Sequence, residues 1–278
     1  MNESLRSIAR SPAGRIGAII VVLTAVAALL APVIAPYPPA ALDVVNRFAG
    51  PGWQHPLGTD HLGRDLLSRI LYGSRIALGI SLLSIALAAT IGTLLGIAAA
   101  WLPPRVERII LIAFDIISAF PSLVLALAVV ALLGPGLMKI VLIVSITLVP
   151  TFGRVARAQS LSLKNSPFLE AERALGASWT RLVIVHVVPN IAGPLFVLAS
   201  MEIPTVITIE AGLSFLGVGV PPPAPSWGAL LNDGYVSLDH SVWTAVFAGL
   251  ALSIATLGFT LFGEALRDAV DPKLKVDP

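Results

Sequence analysis

Long apolar runs separated by short polar joints dominate the chain. Six of them, at about 16–35, 76–101, 109–133, 140–157, 182–212 and 242–263, reach or approach the ~20 residues that a helix needs to cross the hydrocarbon core of a bilayer. The pattern predicts an all-α polytopic membrane protein with six transmembrane helices. The first run follows Arg6, Arg10 and Arg15 and ends in small residues, as a cleavable signal would. Its length and the spans behind it favour a retained anchor instead. The fifth carries Pro194 and Pro204, which predict a kink or a break.

Composition strengthens this class. Only 12% of residues are charged, about half of what soluble domains carry, so a soluble core is a poor competitor. The absence of cysteine rules out disulfides, cysteine-ligated zinc and iron–sulfur centres. With a net charge of +2, the pI near 9.2 gives no argument for nucleic acid.

The distribution of charge sets an orientation. Thirteen of the 18 Lys and Arg residues fall in segments 1–15, 102–108, 154–181 and 265–278, and the remaining five lie in 36–75 and 134–139. The 29-residue loop 213–241 has no Lys or Arg. Positively charged loops stay inside, so both termini and the polar stretch 154–181 are expected on the cytoplasmic face. The chain then divides into residues 1–75, an anchor helix with an outer excursion rich in proline at Pro36, Pro38 and Pro39, and residues 76–278, a five-helix core. The proline cluster "GVPPPAPSWG" in the second outer loop predicts irregular backbone lining a surface or cavity.

One polar joint stands apart. In "SPFLEAERALGASW" Ser166 is placed to cap a short helix, with Pro167 at its first position and Glu170 in its first turn. Gly176 suits a left-handed C-terminal cap, and Ser178 offers a fresh N-cap for a second helix running into the fifth span. The expected object is a helix–glycine–helix elbow. Phe168, Leu175 and Trp179 share an apolar stripe that, with its cationic flanks, fits an ordinary interfacial helix. Ala171, Ala174, Gly176 and Ala177 fit equally a surface that a partner approaches closely.

Glu170-Ala171, Gly176 and Pro189 in this elbow resemble the EAA loop of ABC importer permeases. The stretches "HPLGTDHLGRDLLSRILYGSR" (55–75), "FPSLVLALAVVALLGPG" (120–136), "EAGLSFLGVGVPPPAPSWGALLNDG" (210–234) and "GEALRDAVDPKLK" (263–275) resemble the C-type permease subunit of the dipeptide/oligopeptide/nickel branch. The resemblance covers nearly the whole chain and implies the type I permease fold of ABC importers in a bacterial inner membrane. It also implies four kinds of partner: the bilayer, a homologous second permease, two cytoplasmic ATPases that bind ATP and Mg, and an extracytoplasmic substrate-binding protein. The loop at about 158–189 would be the ATPase-coupling element, with Phe168, Glu170, Ala171, Ala174, Leu175, Gly176 and Ala177 at the contact. The sequence departs from the family pattern at Glu172, usually alanine, at Thr260, commonly asparagine, and at Glu264, commonly aspartate. A nickel importer would share this architecture. A secondary transporter would instead be expected to show internal repeats, and none stands out.

Chemistry elsewhere is sparse. No G-x-x-x-x-G-K-[ST] loop, H-E-x-x-H or G-x-S-x-G occurs, so active transport would draw its energy from a partner and no catalytic role is expected. Asp115, Glu202 and Glu210 lie within or near spans and are candidates for a translocation path or gate, or for interior hydrogen bonding. Asp115 has a third option, pairing with a basic residue. His55, His61 and His240 fall on the outer side without metal-ligand spacing, so a structural role is favoured. Asp60 and Arg64 would be i, i+4 partners on an outer amphipathic helix starting near Thr59. Gly92 and Gly96 form a G-x-x-x-G face for close helix packing.

Overall fold

The computed structural model describes residues 11–270, which form helices and loops with one isolated β-bridge, Thr59 to Asp65. Arg6, Arg10 and the basic tail at Lys273 and Lys275 lie outside the described residues. The helices are α1 Pro12–Ile34, α2 Leu66–Trp101, α3 Pro104–Ser118, α4 Ser122–Leu133, α5 Leu137–Lys164, α6 Pro167–Ala174, α7 Trp179–Phe215, α8 Trp227–Val236 and α9 Trp243–Val270. Five are long and apolar enough to span a bilayer: α1, α2, α5, α7 and α9. The sixth expected span is a pair, α3 and α4, bent by 86°. Pro121 explains the break. It cannot donate to a helical ladder, and its ring disfavours helical backbone at the residue before it. Hydropathy alone does not register such a break, which is why the run at 109–133 reads as one span.

The fifth span shows no break at its two internal prolines, so of the expected kink or break the break is not formed. Its helix runs unbroken from Val188 to Phe215 through both Pro194 and Pro204. Its irregularity lies upstream, at Leu182–Val187, where the turn widens to a π-helix. There the Val188 N–H reaches back five residues to the Val183 carbonyl. Pro189 follows immediately, and a wider turn relieves the clash of its ring with the carbonyl four residues before it.

The bundle is organised around the crossing of α2 and α5. A Cβ on Gly92 would stand 2.7 Å from the Phe152 Cβ and the Val149 carbonyl oxygen, and one on Gly96 would stand 2.8 Å from the Ala156 Cβ. The G-x-x-x-G face therefore packs inside this chain, while Gly79 faces open space. Around the crossing lies the main core, in which Ile80, Phe114, Val130, Val144, Phe152 and Leu213 join α2, α3, α4, α5 and α7. α1 packs against α9, with Gly17 against the backbone around Phe262.

The outer excursion is tied to the bundle, and here the predicted amphipathic helix at Thr59 is not formed. Residues 59–65 make a turn, and α2 begins at Leu66 with Asp65 as its N-cap, the carboxylate accepting from the Ser68 N–H at 2.7 Å. The hydroxyl of Ser68 in turn accepts from the Tyr37 N–H at 3.1 Å, holding the start of the excursion.

Replacing Gly96 by Leu overfills the α2–α5 crossing and is expected to destabilise the purified protein by about 1–3 kcal/mol. The same change at Gly79 should be near neutral. Thermal unfolding of the two variants in detergent checks the contrast.

Candidate functional site

The elbow forms as two helices joined by a glycine turn. α6 ends in a Schellman motif: the Gly176 N–H bonds the Arg173 carbonyl, the Ala177 N–H bonds the Glu172 carbonyl, and Gly176 takes φ +83°. Nothing lies within 4 Å of a Cβ at Gly176, so backbone conformation rather than space selects glycine there. Ser178 caps α7, its side chain accepting from the Arg181 N–H at 3.4 Å. Ser166 occupies the N-cap position of α6, but its hydroxyl donates back to the Leu163 carbonyl at 2.7 Å and makes no side-chain cap. The carbonyl one turn behind it competes for the same hydroxyl.

The residues expected at the contact divide by burial. Phe168, Glu170, Ala171, Ala174, Leu175 and Gly176 are exposed, and Ala177 is half-buried. The stripe of Phe168, Leu175 and Trp179 therefore points away from the chain's own core, with Leu175 84% exposed. The anchor on the opposite face is Leu169, fully buried with Ile97, Ala156, Val183, Val187 and Ile191. Two cations add to it. The Arg173 guanidinium lies 5.0 Å from the centre of the Trp101 ring, and Lys164 lies 5.8 Å from the same ring while donating to the Ala100 carbonyl at 2.8 Å. Sequence reading passed over Leu169, Trp101 and Arg173. The only local sign was the apolar residue at 169, out of phase with the exposed stripe.

A second feature lies on the α3–α5 face. Asp115 accepts from the Arg154 guanidinium at 2.8 Å, and both side chains are about half or more exposed (69% and 49%). Glu107 pairs with Arg157 on the same two helices, nearer the start of α3. Asp115 lies eleven residues beyond Pro104, which at 1.5 Å per residue is about 16 Å along the helix. Glu202 is half-buried beside Pro204. Glu210 is fully buried, its Oε1 accepting from the Ser214 hydroxyl at 2.7 Å. That hydroxyl accepts the Val220 N–H. Glu210 is thus placed in helix packing beneath the outer loop.

The end of the bundle opposite the elbow buries a charge network. Asp60 is fully buried and accepts from the Arg64 Nε at 2.6 Å and from the Leu62 and Arg64 backbone N–H groups. Arg69 lies 3.5 Å from the same carboxylate, and both arginines reach towards Asp233 on α8. Burial pushes the Asp233 carboxyl above its ordinary range, against the pull of His61, Arg69 and Arg64. The Asp60–Arg64 pair thus exists at the expected spacing, but in a turn and shielded from solvent. Asp60, His61 and Asp233 approach one another as metal ligands would. Two guanidinium groups already occupy this cluster's acceptors and oppose a further cation. His55 is held separately, its Nδ1 2.9 Å from Asp65, and His240 sits beside Asp239 and Phe48. His61, Arg64, Arg69 and Asp233 of the network line a cleft of about 340 Å³ together with Pro135, Pro221 and Pro222. The proline loop thus lines a cavity, as its composition suggested.

Known proteins resemble this chain over nearly its full length. Residues 92–276 match the family described as binding-protein-dependent transport system inner membrane component, and residues 1–51 match the N-terminal TM domain of oligopeptide transport permease C. A putative peptide transport system permease protein of Brucella suis is 39% identical over 98% of this chain and 92% of its own length. The dipeptide transport system permease protein DppC of Alkalihalophilus pseudofirmus is 36% identical over 98% of this chain and 90% of its own. The glutathione transport system permease protein GsiD of Escherichia coli is 39% identical over 99% and 91%. Among solved structures, an inward-facing MetNI methionine ABC transporter superposes with TM-score 0.58 at 17% identity, covering 73% of this chain and 97% of that one, a likeness of fold.

Breaking the buried outer network is expected to be costly. Asp60→Ala strands two guanidinium groups and should lower stability by about 3–5 kcal/mol, read as a drop in the unfolding temperature. Added nickel should leave the wild-type unfolding temperature in place; a rise of several degrees would favour a metal site over an ion-pair network.

Proposed function

The chain belongs to the family of binding-protein-dependent transport system inner membrane components, and from that premise we propose that it is the C-type permease subunit of an ABC importer for peptides, driven through the elbow at residues 166–189. The observation that carries the coupling assignment is the exposure of Phe168, Leu175 and Trp179 on an element whose other face is locked to α2 and α7 through Leu169 and Trp101. An apolar patch held rigidly on a polar joint suits protein docking. Ala171, Ala174 and Gly176 beside it are small and exposed and let a partner's backbone come close. The partner that fits is a cytoplasmic ABC ATPase, two of which would serve this chain and a homologous second permease. ATP and Mg would be bound there, and an extracytoplasmic binding protein would deliver substrate.

The orientation follows from charge. The elbow and α3's first turn carry basic residues, and the outer proline loop at 213–241 carries none, which supports a cytoplasmic elbow and cytoplasmic termini. Peptide as substrate is supported by the names of the relatives, three of which are peptide, dipeptide and glutathione permeases.

Asp115 belongs to the pathway in this reading. A charged side chain facing lipid within a span is costly, and the Asp115–Arg154 pair, near the inner part of α3 and α5, stands exposed on the surface of the isolated chain. That surface therefore faces water or the second permease. Glu202 and Glu210 are interior polar groups of α7 in this reading, candidates for the gate that the moving spans form. The mechanism is alternating access: closure of the ATPases moves the elbow, and α5 and α7, which flank it, swing the spans that separate the two sides. No bond of the substrate is broken in this subunit.

Two variants test the coupling. Glu170→Arg and Gly176→Val should insert and assemble with the ATPases but hydrolyse ATP without accumulating a radiolabelled dipeptide pool in proteoliposomes. Uptake at the wild-type level in both would refute the docking surface.

A further inference from the structure

The elbow holds a contact close to its two softest points. The turn at residues 175–178 is one of them, with Gly176 in left-handed backbone and open space around it. The other is the π turn Leu182–Val187, wider than an α-helical turn and a form that recurs at functional sites. Glu172, on α6, and His186, in the π turn, face each other across the glycine turn. The Glu172 Oε1 lies 3.7 Å from the His186 Nε2, and this ring nitrogen is buried with no hydrogen-bond partner. Phe168, four residues before Glu172 and so on the same face of α6, meets the imidazole ring edge-on at 6.2 Å. The backbone at His186 is tied locally, its carbonyl accepting from the Asn190 side chain at 2.6 Å.

We propose that Glu172 and His186 form a brace that ties the coupling helix to the base of α7, so that a push on α6 is delivered to the span rather than absorbed at Gly176. The inference rests on the coupling role proposed above for the elbow and names the residues that make it stiff. Without the pair, α6 is held to the bundle mainly from its other side, by Leu169 in the core and by Arg173 over Trp101 at the end of α2. That attachment reaches α2 and, through Val183, Val187 and Ile191, the base of α7 by apolar contact alone, and the pair adds a polar tie to α7 from the opposite face of α6. The carboxylate needs to close by only a few tenths of an ångström to reach hydrogen-bonding distance. A load that presses α6 towards α7 moves it in that direction. Glu172 and His186 are positioning residues in this account and touch no substrate. The position at which the elbow departs from the family's usual alanine thus meets a group of its own chain.

The test uses the complete importer in proteoliposomes, with a radiolabelled dipeptide pool as substrate and peptide transported per ATP hydrolysed as the readout. Glu172→Ala and His186→Ala are each expected to lower this ratio roughly two- to fivefold, the range open to a partly exposed pair. Exchanging the two residues, Glu172→His with His186→Glu, should bring the ratio back to at least half of the wild-type value. Gly176→Val is run alongside. If it uncouples while both alanine variants keep the wild-type ratio, the brace is wrong and the docking surface survives. If none of the three alters the ratio, both readings fall. An exchange that fails to restore the ratio also overturns the brace. Because the chain has no cysteine, a disulfide between Glu172→Cys and His186→Cys gives a second measurement that does not depend on the alanine variants folding. A stiff joint predicts that the cross-link forms and transport continues, whereas a cross-link that stops transport, or none at all, rejects it.

Discussion

The close crossing of α2 and α5 is the contact on which the remaining geometry depends. Glycines at 92, 96 and 153 let the helices meet almost backbone to backbone, and in a bilayer, where apolar burial drives little association, such close packing is the main source of attraction. The crossing fixes more than the core. It brings Trp101, at the end of α2, beside Lys164, at the end of α5, and so builds the shelf on which α6 rests through Arg173. It also brings α3 against α5, where Glu107 and Asp115 meet Arg157 and Arg154. The elbow and the exposed ion pair are therefore two consequences of one packing decision.

Polar groups are concentrated at the two ends of the bundle and handled differently there. At the end opposite the elbow Asp60, Arg64 and Arg69 are buried and paired by charge, and they clamp the excursion at residues 36–65 to α2 and α8. At the elbow Glu170, Ala171, Ala174 and Gly176 are exposed, and so are Phe168, Leu175 and Trp179 beside them. A closed network consumes its own hydrogen-bonding capacity and resists change. An open surface keeps its capacity for a partner. This contrast separates the structural end of the chain from the end proposed to do mechanical work.

Much of the elbow was legible because its signals are local. Gly176 and Ser178 act on the backbone within four residues of themselves, and both behave as their types predict. The lapses have equally local reasons. Ser166 had two acceptable partners for one hydroxyl, and the pattern of residues does not rank them. Asp60 and Arg64 satisfy an i, i+4 spacing that a turn can satisfy as well as a helix. Pro121 breaks a run that hydropathy reads as continuous, whereas Pro194 and Pro204 leave their helix unbroken, since neighbouring groups in a bundle can take over what a proline leaves unmade.

The amino-acid sequence by itself determined the number and length of the apolar runs, the charge asymmetry and the glycine turn, because each depends only on composition or on neighbours within one helical turn. Only the tertiary structure decided which groups meet. Glu172 reaches His186 because the glycine turn folds α6 back against the base of α7. Arg69 reaches Asp233, 164 residues away, because α8 lies across the head of α2. Such pairings depend on the angle between helices, and that angle is set by packing summed over the whole bundle.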